Sequence, residues 1–138
     1  MKLTIPFALL AIVIGTVGLT RNAEARKKPK GAVMAADLVA MVHAVADAAR
    51  KRDFKALREA MTKDFTYSFG GDNDADQALE EWSKEARSLR QMDLVLRMPC
   101  RHTTPKEIEC PGRGGLAFRA GFSKEVDGWK LSYFVEGD

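Results

Sequence analysis

The sequence predicts an α+β domain, in which helices cover one face of an antiparallel sheet. Three observations carry this prediction. Apolar residues recur with a helical period over residues 33–62 and again from residue 75. In the C-terminal part they alternate with polar residues, as in strands that bury one face. Glycines near residue 114 and an Asp-Gly step at residues 127–128 separate the alternating segments, which favours antiparallel hairpins.

Length and composition set the class of protein. The chain has 138 residues, 46% of them hydrophobic and 30% charged, which fits one small folded domain rather than a disordered chain. Lys and Arg number 22 against 19 Asp and Glu, a formal net charge of +3. This balance is too even for a dedicated nucleic-acid binder, so we predict no nucleic-acid partner.

The first 25 residues have the three-part layout of a secretory signal peptide. A positive start precedes an apolar run over residues 3–19, and Ala23-Glu24-Ala25 supplies the small residues that signal peptidase needs. We predict a signal peptide at 1–25, a flexible basic tail at 26–32 and a single domain at 33–138. The protein would then be exported, to the periplasm or beyond the cell. The alternative is an uncleaved membrane anchor, because about 17 apolar residues lie at the lower limit of a bilayer span.

If the protein is exported, its two cysteines are expected to form a disulfide. An oxidising compartment favours a disulfide between Cys100 and Cys110. Closing so short a loop stabilises the fold by about 2–3 kcal/mol. A zinc site of Cys100, His102 and Cys110 is the competing interpretation, but it lacks a fourth ligand. The acidic stretch 72–76 lacks the glycine and glutamate of a calcium loop, so we predict no metal.

Three helices are predicted. The first covers about Val33 to Arg50, the second starts at the N-cap Asp53 and ends near Thr62, and the third starts at the N-cap Asp74 and ends near Arg90. The first two form a hairpin. The apolar positions that define the first and third helices are Leu38, Met41, Val42, Val45 and Ala49, and Ala75, Leu79, Trp82, Ala86 and Leu89.

The strands are predicted from period-two alternation. Phe65, Tyr67 and Phe69 form a short strand before Gly70-Gly71. Four further strands follow the third helix, with the apolar sets Met92 to Met98, Ile108 and Cys110, Leu116 to Phe122, and Trp129, Leu131, Tyr133 and Val135. This alternation places three other residues on the opposite face of the predicted sheet: Arg97, Arg119 and Phe134. A single β-bulge would exchange the two faces beyond it.

From Val33 to Asp138 the chain resembles the nuclear transport factor 2-like superfamily, which includes ketosteroid isomerase and polyketide cyclase relatives. The resemblance rests on the element order, on Asp64-Phe65-Thr66-Tyr67 at the first strand and on the closing Gly128-Trp129-Lys130 strand. It implies a sheet curved into a cone whose open end is a ligand pocket. Some members pair through the outer sheet face, so a homodimer is an expectation here.

The catalytic pattern of the isomerases in this superfamily is not matched. They place a carboxylate base near the end of the first strand, where this chain has Ser68 or Phe69. We therefore expect no enzymatic activity. The alternative is a small lyase or isomerase that uses Tyr67 with an acid such as Asp93.

The predicted function is non-catalytic binding of a small apolar or amphipathic ligand inside the cone. The candidate lining residues are Tyr67, Trp82, Phe118, Trp129 and Tyr133. An envelope protein-interaction module, acting as a homodimer, is the second hypothesis. No cofactor is expected, and membrane contact is expected only through an uncleaved signal segment. His43 with Asp47, and His102, are interpreted as solvated side chains.

Overall fold

The structure, a computed structural model, describes residues 33–137 except residues 69, 71, 72, 115 and 116. The predicted signal peptide and basic tail lie outside these described residues. The elements are α1 (Ala36–Lys51), α2 (Phe54–Ala60), β1 (Met61–Thr66), α3 (Ala75–Lys84), α4 (Arg87–Leu96), β2 (Arg101–Thr104), β3 (Glu107–Cys110), β4 (Phe118–Glu125) and β5 (Gly128–Glu136). Within the described ranges, no helix is long and apolar enough to cross a membrane. The predicted α+β class is confirmed.

The sheet has five strands in the order β1-β5-β4-β3-β2. Strands β2 to β5 pair antiparallel with their neighbours. β3, β4 and β5 lie where strands were predicted, whereas β2 was not predicted. Gly128 starts β5 with a positive φ of 130°. β1, however, pairs parallel with β5, so the sheet is mixed rather than purely antiparallel. The long connection between these two strands provides the crossover that parallel pairing requires.

The helical hairpin forms as predicted, through local capping. Arg52 adopts a left-handed conformation after α1 and donates its backbone N–H to the carbonyls of Ala48 and Ala49. The Asp53 carboxylate then accepts from the backbone N–H of Ala56 at 3.0 Å, which makes Asp53 the N-cap of α2. Two residues therefore reverse the chain, and α1 packs on α2.

The first strand comes earlier than predicted. α2 ends at Ala60 rather than near Thr62, because Met61 already pairs with β5. β1 ends at Thr66, so Tyr67 follows the strand instead of lying in it. The predicted strand residue Phe69 lies outside the described residues.

The third predicted helix is two helices. Asp74 is its N-cap, as predicted, and accepts from the backbone N–H groups of Asp76 and Gln77. The helix stops at Lys84, because Glu85 has an extended backbone. The two helices take different places in the fold: α3 contacts β1, whereas α4 contacts α1 and β4.

Residues 92–96 of the segment predicted as a strand over 92–98 form the second half of α4, and residues 97 and 98 follow the helix. The buried side chains of this segment are Met92, Val95 and Leu96, whereas Leu94 is 53% and Met98 40% exposed. The burial spacing is therefore three and four residues, as in a helix, and not two. Met, Leu, Gln and Arg also favour a helix. Because of this correction, Arg97 caps a helix rather than interrupting a strand.

A β-bulge between β4 and β5 exchanges the predicted faces of β5. Gly121 lies opposite Tyr133 and Phe122 opposite Leu131, which leaves Ser132 as an extra residue. Phe134 therefore faces the helices with Leu131, and Tyr133 lies on the open face of the sheet. The parity prediction for Tyr133 and Phe134 was wrong for this reason.

Four aromatic side chains fill the space between helices and sheet. Trp82 contacts Phe65 and Phe134 edge to face, with ring centroids 5.9 and 5.7 Å apart. Phe134 stacks on Phe118 at 5.4 Å. All four rings are at most 5% exposed. The interior of the domain is thus largely occupied by its own side chains.

Candidate functional site

The five predicted ligand-lining residues lie in three separate places. Tyr67, Trp82 and Phe118 line one recess of about 140 Å³ between α3, α4 and the sheet. Trp129 packs against the His102 ring, with centroids 6.4 Å apart, and lies beneath the Lys124 ammonium. Tyr133 lies on the open face. The recess is smaller than the 300–1,000 Å³ usual for ligand pockets.

The recess has aromatic walls and an acidic rim. Its lining residues are Tyr67, Glu81, Trp82, Glu85, Ser88, Phe118, Phe134 and Glu136. At its edge the Arg87 guanidinium binds Glu136 through two hydrogen bonds of 2.7 and 3.1 Å. The same guanidinium lies 5.1 Å from the centroid of the Phe118 ring.

The alternative enzyme hypothesis gains no support from the described residues. Asp93, its proposed acid, lies in α4 and accepts a 2.7 Å hydrogen bond from the Arg97 guanidinium. It is not among the residues that line the recess with Tyr67. The structure therefore does not bring the two proposed groups to one site.

A larger cavity of about 560 Å³ lies between α1 and the segment that follows α4, and we call it the α1–α4 groove. Its volume is in the range typical of small-molecule sites. The groove is lined by Met34, Val39, Val42, His43, Ala46, Asp47, Leu96, Arg97, Met98, Pro99 and Cys100. Seven of these residues are hydrophobic or cysteine residues, contributed by α1, by the end of α4 and by the segments beside them, so much of the lining is apolar.

The floor of the groove is part of the core. Val42, Ala46 and Leu96 are at most 4% exposed, and Met98 at the edge is 40% exposed. Apolar surface of this kind gains about 25 cal/mol for each Å² that a ligand removes from water. Because Val42, Ala46 and Leu96 are already buried, the apolar surface that a ligand can cover comes mainly from Met98 and from the half-buried Met34 and Val39.

The rim of the groove is charged. Arg97 bridges two carboxylates, donating from Nε to Asp93 at 2.7 Å and from a terminal nitrogen to Asp47 at 3.4 Å. The hydrogen bond from Arg50 is the main cause that lowers the pKa of Asp47, and the bond to Asp93 raises the pKa of Arg97. Both rim groups therefore stay ionised at neutral pH. His43, exposed as predicted, lies one turn before Asp47 on the same groove wall.

Sequence reasoning missed this groove because one wall was predicted as a strand. With α4 treated as a strand, Arg97 and Met98 could not be placed beside α1. The spacing of Met92, Val95 and Leu96 was the available signal, because it continues the helical period of the preceding stripe.

The predicted disulfide between Cys100 and Cys110 is confirmed, with the two Cα atoms 4.3 Å apart. It joins the residue before β2 to the end of β3, and Cys100 also lines the α1–α4 groove. Both thiols are used in the bond, which excludes the zinc interpretation. The described ranges contain no group of three His, Cys, Asp or Glu side chains that could hold a metal. Disulfides are typical of proteins outside the reducing cytoplasm.

The open face of the sheet carries a hydrogen-bonded cluster. The Tyr133 hydroxyl donates to Glu109 at 2.9 Å, and Arg101 and Arg119 lie 3.4 and 4.0 Å from the same carboxylate. The Tyr133 ring lies across Gly121, where any Cβ would collide with it. Pairing of two copies through this face remains a prediction.

Stability at high pH should depend on Tyr133. Burial and the Glu109 carboxylate raise the pKa of this phenol. Above about pH 10 the unfolded chain releases the phenolic proton while the folded chain keeps it, so stability falls as pH rises. We expect wild type to lose more unfolding free energy than Tyr133→Phe between about pH 9 and about pH 11.5. Urea unfolding at both pH values measures this, and equal losses in the two proteins would contradict it.

Comparisons with known proteins found similarity to solved structures alone. No family model matches the chain, and no curated protein matches it. The chain is similar to a solved NTF-2-like protein of unknown function from Shewanella oneidensis, with 16% identity, coverage of 74% of this chain and 97% of that chain, and a TM-score of 0.48.

Two further solved structures share this similarity. An NTF2-like protein with a cystatin-like fold from Novosphingobium aromaticivorans is 15% identical, with coverage of 73% and 79% and a TM-score of 0.40. A domain of unknown function with a cystatin-like fold from Nostoc punctiforme is 11% identical, with coverage of 72% and 74% and a TM-score of 0.43.

Proposed function

We propose that this protein is a non-catalytic binding module whose α1–α4 groove takes one small amphipathic molecule. The observation that carries the proposal is a cavity of about 560 Å³ that combines an apolar floor with a charged rim. The predicted function is kept, but its site moves from the space between helices and sheet, which aromatic side chains largely fill, to the groove between α1 and the segment that follows α4.

The rim restricts the polar end of the ligand. The two charged lining residues, Arg97 and Asp47, have opposite charges, and their further partners Asp93 and Arg50 also balance, so the charges at the rim cancel. A multiply charged head would find no excess of opposite charge here. A hydroxyl or a single carboxylate can share the Arg97 donors, while the apolar body covers Met34, Val39 and Met98.

The disulfide and the predicted signal peptide support action outside the cytoplasm. An exported binding module of this kind would act as a carrier or sensor of a small amphipathic compound. Native mass spectrometry of protein isolated from the exported fraction would reveal a mass beginning at Arg26 and any ligand that is lost on denaturation.

Binding can be tested with 8-anilinonaphthalene-1-sulfonate, a fluorescent probe that has an aromatic body and one anionic group. We expect one saturable site, with affinity reduced about threefold to tenfold in Met98→Gln, because that variant removes apolar contact at the groove edge. Leu94→Gln is the matched control, since Leu94, in α4, is also an exposed apolar residue but does not line the groove. Dodecanoate should displace the probe.

The control also separates groove binding from general surface binding. The proposal fails if Met98→Gln and Leu94→Gln bind the probe equally well while both keep the wild-type unfolding midpoint. It also fails if dodecanoate does not compete.

A further inference from the structure

The aromatic recess between α3, α4 and the end of β5 is a second concave site, distinct from the α1–α4 groove. The two cavities share no lining residue. The recess has a volume of about 140 Å³, which equals roughly four to five water molecules at about 30 Å³ each. It therefore has room for one compact group, such as a trimethylammonium or guanidinium group, and not for a large apolar body.

The charge around the recess is negative, although the chain as a whole carries +3. Glu81, Glu85 and Glu136 line it, and no cationic side chain does among the described residues. Lys84 and Arg87, which interact at longer range with Glu81 and Glu85, each already have another carboxylate partner: Lys84 binds Glu80 and Arg87 binds Glu136. Glu81 and Glu85 remain at the rim with no ion pair to any described residue.

A cationic side chain of the protein is already bound at the edge of the recess. The Arg87 guanidinium lies 5.1 Å from the Phe118 centroid and makes a two-pronged contact with Glu136. An organic cation is thus already held at the recess edge by an aromatic ring and a carboxylate together. Half-buried Tyr67 offers further aromatic surface beside the two remaining glutamates, and Trp82, 5% exposed, contributes a small part of it.

We propose that this recess binds a small organic cation, with Glu81 and Glu85 supplying the charge and Tyr67 and Trp82 the aromatic wall. The proposal does not depend on the proposed function, because the occupied site and the ligand charge are both different. A metal ion is not the fitting ligand, since no three His, Cys, Asp or Glu side chains among the described residues lie close enough together to hold one.

Choline can serve as the probe, with its neutral isostere 3,3-dimethylbutan-1-ol as the chemical control. The chain has two tryptophans, and only Trp82 lines the recess, so the two indole N–H signals in a ¹H–¹⁵N spectrum report on the site and on a distant reference. We expect choline to shift the Trp82 signal saturably while the Trp129 signal stays in place. The neutral isostere should produce no saturable shift.

The charge contribution can be isolated with variants of equal net charge. We expect Glu81→Gln/Glu85→Gln to weaken choline binding about fivefold or more, whereas Glu59→Gln/Glu125→Gln, exposed elsewhere, should bind like wild type. Unfolding midpoints of both pairs verify that they fold. The proposal is overturned if choline gives no saturable Trp82 shift, if the isostere gives the same shift, or if both pairs lose affinity equally.

Discussion

The Trp82→Ala variant should lose about 3–5 kcal/mol of unfolding free energy, the largest loss we expect from a single substitution in this chain. Trp82 is 5% exposed and joins Phe65 on β1 to Phe134 on β5 through two edge-to-face contacts. Its removal leaves a cavity between α3 and the sheet that neighbouring rings cannot fill. Guanidinium unfolding, followed by circular dichroism, measures the loss.

A conservative variant keeps this prediction testable even if Trp82→Ala does not fold. Trp82→Phe retains a ring and should lose clearly less, about 1–2 kcal/mol. A loss below 1 kcal/mol in Trp82→Ala would mean that the aromatic cluster does not hold α3 on the sheet.

Removal of the disulfide should have the second-largest effect. The double variant Cys100→Ala/Cys110→Ala should unfold with about 2–3 kcal/mol less free energy, because the open chain regains the entropy of a short loop. Wild-type protein in reductant should show a similar loss, whereas reductant should not affect the double variant. The measurement is urea unfolding with and without dithiothreitol.

The disulfide prediction also has a site-specific part. Cys100 lines the α1–α4 groove. The double variant should therefore bind the anilinonaphthalene probe more weakly than wild type under conditions in which both proteins are folded. An unfolding midpoint that is the same in oxidised and reduced protein would show that the bond contributes no stability.

Local signals in the sequence predicted much of the fold. The hairpin of α1 and α2 and the start of α3 follow from apolar spacing and from the capping residues Asp53 and Asp74, whose side chains make the expected bonds. Strands β3 to β5 and the turn at Gly128 follow from alternation and turn chemistry. In each case the residues that determine the structure are close together in the chain.

The errors arose where the structure depends on residues far apart in the chain. The bulge at Ser132 is set by pairing with β4, so parity along β5 alone could not place Tyr133 and Phe134. The parallel pairing of β1 with β5 joins residues about half the chain apart. The α1–α4 groove likewise exists only once α4 lies against α1, so no single segment contains it.

The position of β5 in the sheet has a consequence for when the protein can fold. β5 is the last strand in the chain, yet it lies between β1 and β4. Until β5 has emerged from the ribosome, β1 has no neighbouring strand to pair with, and Trp82 cannot pack on Phe134. A growing chain therefore cannot complete its tertiary structure early.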